Sequence, residues 1–301
     1  MPNAIELVGL RKEFEGHVAV AELSLSVNRG AIFGLLGPNG AGKTTTLRML
    51  LDIFAPDRGE VRLFGRPRRP EDNQRIGYLP EERGLYRRMT AEDHLRFLAE
   101  LHGVRRREAL ASARRWLARV GLAEWAARRV ETLSKGMQQK VQLVGTVIHE
   151  PELLVLDEPF SGLDPLNQGL FKEILAEHRT AGRTVIFSTH VLEQAEKLCD
   201  SIALVARGRV VLSGELATLR RERAGRDVAV VFDRAPESLA GLAGVERAAS
   251  DGERTQFELA AGARPSELLA ELVARGAAVR DFRALEPDLE SIFVAAVRDA
   301  G

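Results

Sequence analysis

An α/β architecture, a parallel core sheet covered by helices on both faces with a small α+β domain after it, is expected from three patterns in this 301-residue chain. The apolar runs Ala31 to Leu36, Leu153 to Leu156 and Thr184 to Phe187 are continuous, as in strands buried on both faces. Helix-period segments separate them, and strands alternating with helices build a parallel sheet. Beyond residue 226 the pattern shifts to short strand candidates.

In chain order, residues 4–9 and 21–27 alternate like half-buried strands, and Val61 to Phe64 is a further candidate. From Thr90 to about Val130 the chain turns helical, rich in Ala, Leu and Arg, with Leu95, Leu98 and Leu101 expected on one face. Another helix is expected through Val141 to Val147. The main domain is expected over residues 1–221, with a helical part at about 85–150, and the accessory domain over 226–301. In that tail, Val228 to Phe232, Val245 to Ala249, Thr255 to Leu259 and Ala278 to Phe282 read as strands. Helices are expected near Pro236 to Leu242 and Pro265 to Arg275, in a ferredoxin-like order. A last helix from Pro287 to Val297 would place Leu289, Ile292, Phe293, Ala296 and Val297 on one face. The tail carries no recognisable chemistry; regulation and dimerisation are both open to it.

Bulk properties exclude some functions. Equal numbers of basic and acidic residues, 43 each, argue against nucleic acid as the main ligand. Cys199 is alone, so no intrachain disulfide forms and a reducing compartment fits. No apolar run approaches the length of a membrane span. A cytosolic protein is expected, whose membrane role, if any, comes through a partner.

Three segments carry chemistry. Gly37-Pro38-Asn39-Gly40-Ala41-Gly42-Lys43-Thr44 lies between a buried strand and a helix opening at Thr45. A glycine-rich turn there points successive N–H groups at one anion, with the helix N-terminus behind them. Lys43 would reach the β- and γ-phosphates of a nucleotide, and the Thr44 hydroxyl would serve Mg2+. Leu153-Leu154-Val155-Leu156-Asp157-Glu158-Pro159 delivers two carboxylates at a strand end, where ligands sit in an open parallel sheet. Asp157 would help to hold Mg2+, and Glu158 would polarise the attacking water. Alone, this could be an ordinary acidic turn; beside the glycine loop it reads as a site. Leu133-Ser134-Lys135-Gly136-Met137 opens a helix, with Ser134 a good N-cap and Gly136 permitting close backbone approach. A second phosphate-binding helix N-terminus makes sense if it serves a site on another copy of the fold.

Over about residues 4–220 these motifs resemble the nucleotide-binding subunits of ABC transporters. GPNGAGKT resembles the Walker A loop, LSKGM the family signature, and LLVLDEP the Walker B strand. Ser161-Gly162-Leu163-Asp164 resembles the D-loop, and Ser188-Thr189-His190 the switch-histidine segment. The resemblance implies a P-loop NTPase fold with an antiparallel N-terminal β subdomain and a helical subdomain. It also implies a head-to-tail dimer enclosing two ATP molecules. Ser134 and Gly136 of one subunit would face the γ-phosphate held by the other, His190 would order Glu158 and the water, and Asp164 would link the two sites. Phe14 occupies the adenine-stacking position, and Glu81 stands where most of the family has the Q-loop Gln, so it is a candidate both for catalysis and for a magnesium-bound water. YLPEERGLY and LDEPFSGLDP resemble bacterial exporters of the sodium-efflux and drug-resistance type, whose permease is a separate polytopic membrane protein. Such a subunit would sit on the cytoplasmic face of the membrane, with its helical subdomain and the Glu81 loop receiving the permease. ABC-type ATPases acting on DNA or the ribosome are the alternative, and a regulatory subunit without turnover is a third reading.

Overall fold

The computed structural model describes residues 3–82, 84–223, 227–285 and 289–299; Pro287 and the residues 224–226 at the expected domain boundary lie outside these. The chain divides into two compact units, Met1–Ser213 and Gly214–Gly301. The division precedes the boundary at 221–226 because the helix that follows Ser213 belongs with the C-terminal one, as described below.

The first unit begins with β1 (Asn3–Phe14) and β2 (His17–Asn28), an antiparallel pair, then β3 (Ile32–Leu36) and α1 (Lys43–Leu50). The short strands β4 (Arg58–Leu63) and β5 (Arg66–Pro67) complete a four-stranded antiparallel sheet in the order β2-β1-β4-β5. Next come β6 (Ile76–Leu79), α2 (Ala91–Leu101), α3 (Arg106–Arg119) and α4 (Lys135–Val147). The unit continues through β7 (Leu153–Asp157), α5 (Pro165–Thr180), β8 (Thr184–Thr189), α6 (Leu192–Leu198), β9 (Ser201–Ala206) and β10 (Arg209–Glu215). The second sheet runs β10-β9-β3-β8-β7-β6. Its pairs from β9 through β6 are parallel, and β10 returns from β9 through a tight turn at Arg207 and Gly208.

β3, β7 and β8 are buried at every residue, as their unbroken apolar runs require. β6 is not evident in the sequence because Gly77 interrupts it, and glycine weakens a strand signal. The glycine is needed there: a Cβ would lie 2.2 Å from the Thr146 carbonyl oxygen, in α4.

The helical stretch expected as far as Val130 ends its regular helices at Arg119, and Gly103, at φ 85°, separates α2 from α3. Leu95 is buried and Leu98 half-buried, but Leu101 is 58% exposed. At 100° per residue, successive steps of three drift off the stripe; Ala91, Leu95 and Ala99, spaced by four, are the fully buried positions. With Ala113 and Leu117 of α3 and Val141 and Val144 of α4 they form a separate helical core.

The second unit contains α7 (Leu216–Arg223), β11 (Asp227–Arg234), β12 (Val245–Asp251), β13 (Arg254–Leu259), α8 (Pro265–Ala274), β14 (Ala278–Ala284) and α9 (Leu289–Asp299). Its sheet order is β12-β13-β11-β14, with antiparallel neighbours, so β11 and β12 run parallel around an intervening β13. That is the split arrangement of a ferredoxin-like fold, with one correction. Residues 236–242 form a loop and not a helix. Gly241 and Gly244 adopt left-handed φ values of 68° and 69°, and Arg275 donates to the carbonyls of Ala240 and Gly241 in place of helical N–H groups. Leu239 and Leu242, whose spacing suggests a helical face, reach the core from this loop. On α9, Leu289, Ile292 and Ala296 are buried and Phe293 is half-buried; the Val297 side chain lies outside the described residues. α9 packs on α7 of the same unit.

Burial pushes the pKa of His94 down to about 4 and of His178 to about 4; burial, then the neighbouring His102, pushes His149 to about 3. Each folded value lies below that of the unfolded chain, so the unfolded chain binds more protons between about pH 4 and 6.5. Their contribution is complete above pH 6.5 and is lost as pH falls, on the order of 3 kcal/mol for His94 alone. The urea midpoint should therefore drop between pH 7 and pH 5, and His94→Leu should flatten part of that slope; a midpoint independent of pH over this range would contradict it.

Candidate functional site

The parallel register converges the three strands that carry the motifs. Leu36 pairs with Thr189 and Asp157 with Ser188, so the glycine loop, the two carboxylates and the run to His190 all leave the same carboxyl edge.

In the loop, Gly37 and Gly42 cannot be replaced without strain. Their φ values are 152° and 104°, and a Cβ would lie 2.2 Å from the Val205 oxygen and 2.5 Å from the Ala19 oxygen respectively. Pro38, Asn39 and Gly40 form the exposed rim, Ala41 is buried, and Thr45 is half-buried in α1. Gly42 is the N-cap of α1 and supplies no side-chain cap, and the first turn contains no acid. The helix terminus thus presents N–H groups and partial positive charge toward the loop, which suits an anion. By contrast Thr90, Ser134 and Asp164 cap α2, α4 and α5 with side-chain oxygens.

The Lys43 ammonium, nearly buried, donates to the carbonyls of Gly37 at 2.7 Å and Pro38 at 3.1 Å. It also pairs with Glu158 Oε1 at 3.5 Å. Asp157 is 1% exposed. Its Oδ1 accepts from the Thr44 hydroxyl at 3.1 Å and the Ser188 hydroxyl at 2.6 Å, while its buried Oδ2 has no hydrogen-bond partner. Ser188 Oγ also accepts from the Glu158 N–H at 2.9 Å. Glu158 has a left-handed φ of 47°, a sparsely populated conformation for a non-glycine residue, and its Oε2 lies 3.0 Å from His190 Nδ1. Hard oxygen donors, with one carboxylate oxygen left over, fit Mg2+. Among the described residues no group of three or more His, Cys, Asp or Glu could by itself hold a metal ion.

The other expected residues fall into separate groups. Ser134 Oγ accepts from the Met137 N–H. A Cβ on Gly136 would lie 3.2 Å from Asn167 Nδ2 and 3.9 Å from Asp164 Oδ2, so the N-termini of α4 and α5 abut. Asp164 accepts from both the backbone and the side chain of Asn167. No hydrogen bond or ion pair joins this group to Lys43, Asp157 or Glu158 among the described residues. Phe14 is 42% exposed and meets Phe54 edge to face at 5.5 Å, with the Lys12 ammonium over both rings. Glu81 is exposed, and its side chain makes no hydrogen bond or ion pair with a described residue; Gln142 holds the adjacent backbone at Pro80 and Glu82. In this conformation Glu81 has no hydrogen bond or ion pair with Thr44, Asp157 or Glu158. Asn167 is not singled out by the sequence, since it carries no motif; Ser188 enters there only as part of the Ser188-Thr189-His190 segment, without a role of its own, and it lies next to the last residue of β8.

Comparison with known proteins agrees with this geometry. Residues 20–161 match the ABC transporter family, and residues 214–297 match the C-terminal domain of DrrA1-3-like ATP-binding proteins. The chain is 38% identical over 283 residues to an uncharacterized ABC transporter ATP-binding protein, YhaQ, of Bacillus subtilis, covering 94% of this chain and 95% of that one. It is 38% identical to Nod factor export ATP-binding protein I of Bradyrhizobium diazoefficiens, covering 76% of each chain. A solved ATP-binding subunit of an ABC transporter superposes with a TM-score of 0.68 at 30% identity, over 90% of this chain and 99% of its own. The chain belongs to the ATP-binding proteins of ABC transporters.

Proposed function

We propose that this chain hydrolyses ATP to power export through a separate membrane permease. The observation that carries the reading is the convergence of Lys43, Thr44, Asp157, Glu158 and His190 at one edge of the parallel sheet. Lys43 and the N-terminus of α1 would bind the phosphates, and Thr44 and Asp157 would hold Mg2+, which when bound neutralises phosphate charge. Glu158 is the base for the attacking water, with His190 holding its carboxylate. Phe14 offers an aromatic face to adenine, and Glu81 would approach the phosphates through movement of its exposed loop. The abutting N-termini of α4 and α5, with Ser134, Gly136 and Asp164, would complete the site of a second copy in a head-to-tail dimer, so that two ATP molecules are enclosed. Export as the direction is supported by the likeness to the Nod factor export protein.

Among the described residues no helix is long and apolar enough to cross a membrane, so membrane contact would come through the permease, on the cytoplasmic face. A cavity of about 370 Å3 between the helical subdomain and the loop after β6 is suited to receive it. Leu85, Leu98, Ile53 and Tyr78 line this cavity and supply the apolar surface that the arginines of α3 do not.

Four outcomes are expected. Glu158→Gln should keep ATP binding, lose turnover by roughly 10²–10⁴, and accumulate an ATP-bound dimer; near-normal turnover would refute the assignment of the base. Lys43→Ala should abolish tight nucleotide binding, which equilibrium binding with a fluorescent ATP analogue would measure. Tagged Glu158→Gln protein, purified from detergent-solubilised membranes with Mg-ATP, should bring down one polytopic membrane protein. Adding Ile53→Asp, at a 55% exposed position, should lower that recovery by roughly tenfold without affecting ATP binding. Recovery of ribosomes or DNA-bound proteins in place of a membrane protein would overturn transport and leave the ATPase chemistry standing.

A further inference from the structure

We infer that Ser188 is a positioning residue that decides which oxygen of Asp157 is offered to the nucleotide-bound cation. The inference rests on the nucleotide-site reading above and assigns this chain a residue beyond the five that carry it.

The argument starts from burial. Ser188 is 0% exposed and Asp157 1%, so neither side chain draws on solvent for hydrogen bonds. A carboxylate has two oxygens and room for about four donors. Here Ser188, at 2.6 Å, and Thr44, at 3.1 Å, both donate to Oδ1, and Oδ2 is left buried with no hydrogen-bond partner. An unpartnered buried carboxylate oxygen is costly unless a cation or donor completes it. The Ser188 contact, shorter than the Thr44 contact, therefore fixes the rotation of the carboxylate with Oδ2 free. Thr44 is itself a candidate ligand, so its hold on Oδ1 is one that a cation would compete for. Ser188 has no such second duty toward the cation, and its contact is the one that would persist.

The same hydroxyl accepts the Glu158 N–H at 2.9 Å. It thereby pins the peptide between the two carboxylates, at the residue whose φ of 47° needs outside support. One oxygen thus donates to the first acid and accepts from the backbone of the second. Groups that orient a metal-holding carboxylate in this way typically matter by 10–100-fold in metal affinity.

The test is the gain in nucleotide affinity that Mg2+ confers, measured by equilibrium binding of a fluorescent ADP analogue with Mg2+ or with EDTA. Ser188→Ala should leave the EDTA affinity within about twofold and reduce the Mg2+-dependent gain by about tenfold or more. Ser188→Thr, which keeps the hydroxyl, should restore most of that gain. A folded Ser188→Ala protein that keeps the full gain would overturn the inference while leaving the ATPase reading intact. A wild-type protein that binds no nucleotide, or gains nothing from Mg2+, would overturn both. Should the alanine variant fail to fold, Ser188→Cys provides the same comparison, because a thiol fills the space but is a weak donor.

Discussion

A buried charge at the end of β7 is the constraint on which the site depends. Asp157 is removed from water, and an ionised carboxylate in that position is tolerated only where donors and cations surround it. Those partners come from α1, through Thr44, and from β8, through Ser188, while the Lys43 ammonium lies beside the neighbouring Glu158. No local sequence rule brings residues 43, 157 and 188 together. The β3-β8-β7 order does, because parallel strands place successive carboxyl ends on one edge. The apolar strands thus have two roles: they form the core, and they fix the line along which the polar groups meet.

Much of this was legible in the sequence because strong local signals agreed with the tertiary outcome. Leu153 to Leu156 is too apolar to face water on either side, and the acids that follow it must therefore emerge at a strand end. Gly37 and Gly42 mark backbone that passes within touching distance of Val205 and Ala19, where no side chain fits. The misreadings have equally physical causes. β6 was missed because Gly77 is dictated by contact with α4, a tertiary requirement with no periodic trace. The expected helix at 236–242 is a loop because Arg275 satisfies its carbonyls from a distant element, while Leu239 and Leu242 still reach the core. Ser188 was legible as part of a motif but not as a hub, since its importance depends on the register that sets it beside Asp157.

The helix termini show how one physical device serves two ends. α2, α4 and α5 spend their N-terminal N–H groups on Thr90, Ser134 and Asp164, which stabilises each helix by about 1 kcal/mol. α1 forgoes that, since Gly42 has no side chain to offer. A helix that gives up a cap does so at a cost to its own stability, and the cost is offset where an external anion takes the place of the side chain. The contrast within one chain sets the uncapped terminus of α1 apart from the capped ones more sharply than the glycine pattern alone does. It leaves Ser134 and Asp164 as termini that already have a cap, so a second copy's phosphate would have to share them or displace it.

Lys43 ties the glycine loop to Glu158. Its ammonium has three donors: two are directed at the Gly37 and Pro38 carbonyls, and it lies 3.5 Å from Glu158 Oε1. A phosphate arriving at the loop carries more negative charge than either carbonyl and competes for the same ammonium. Whatever draws Lys43 toward the loop weakens its hold on Glu158, whose other oxygen remains with His190. In the proposed reading the ion pair at 3.5 Å would hold Glu158 until a phosphate engages the lysine.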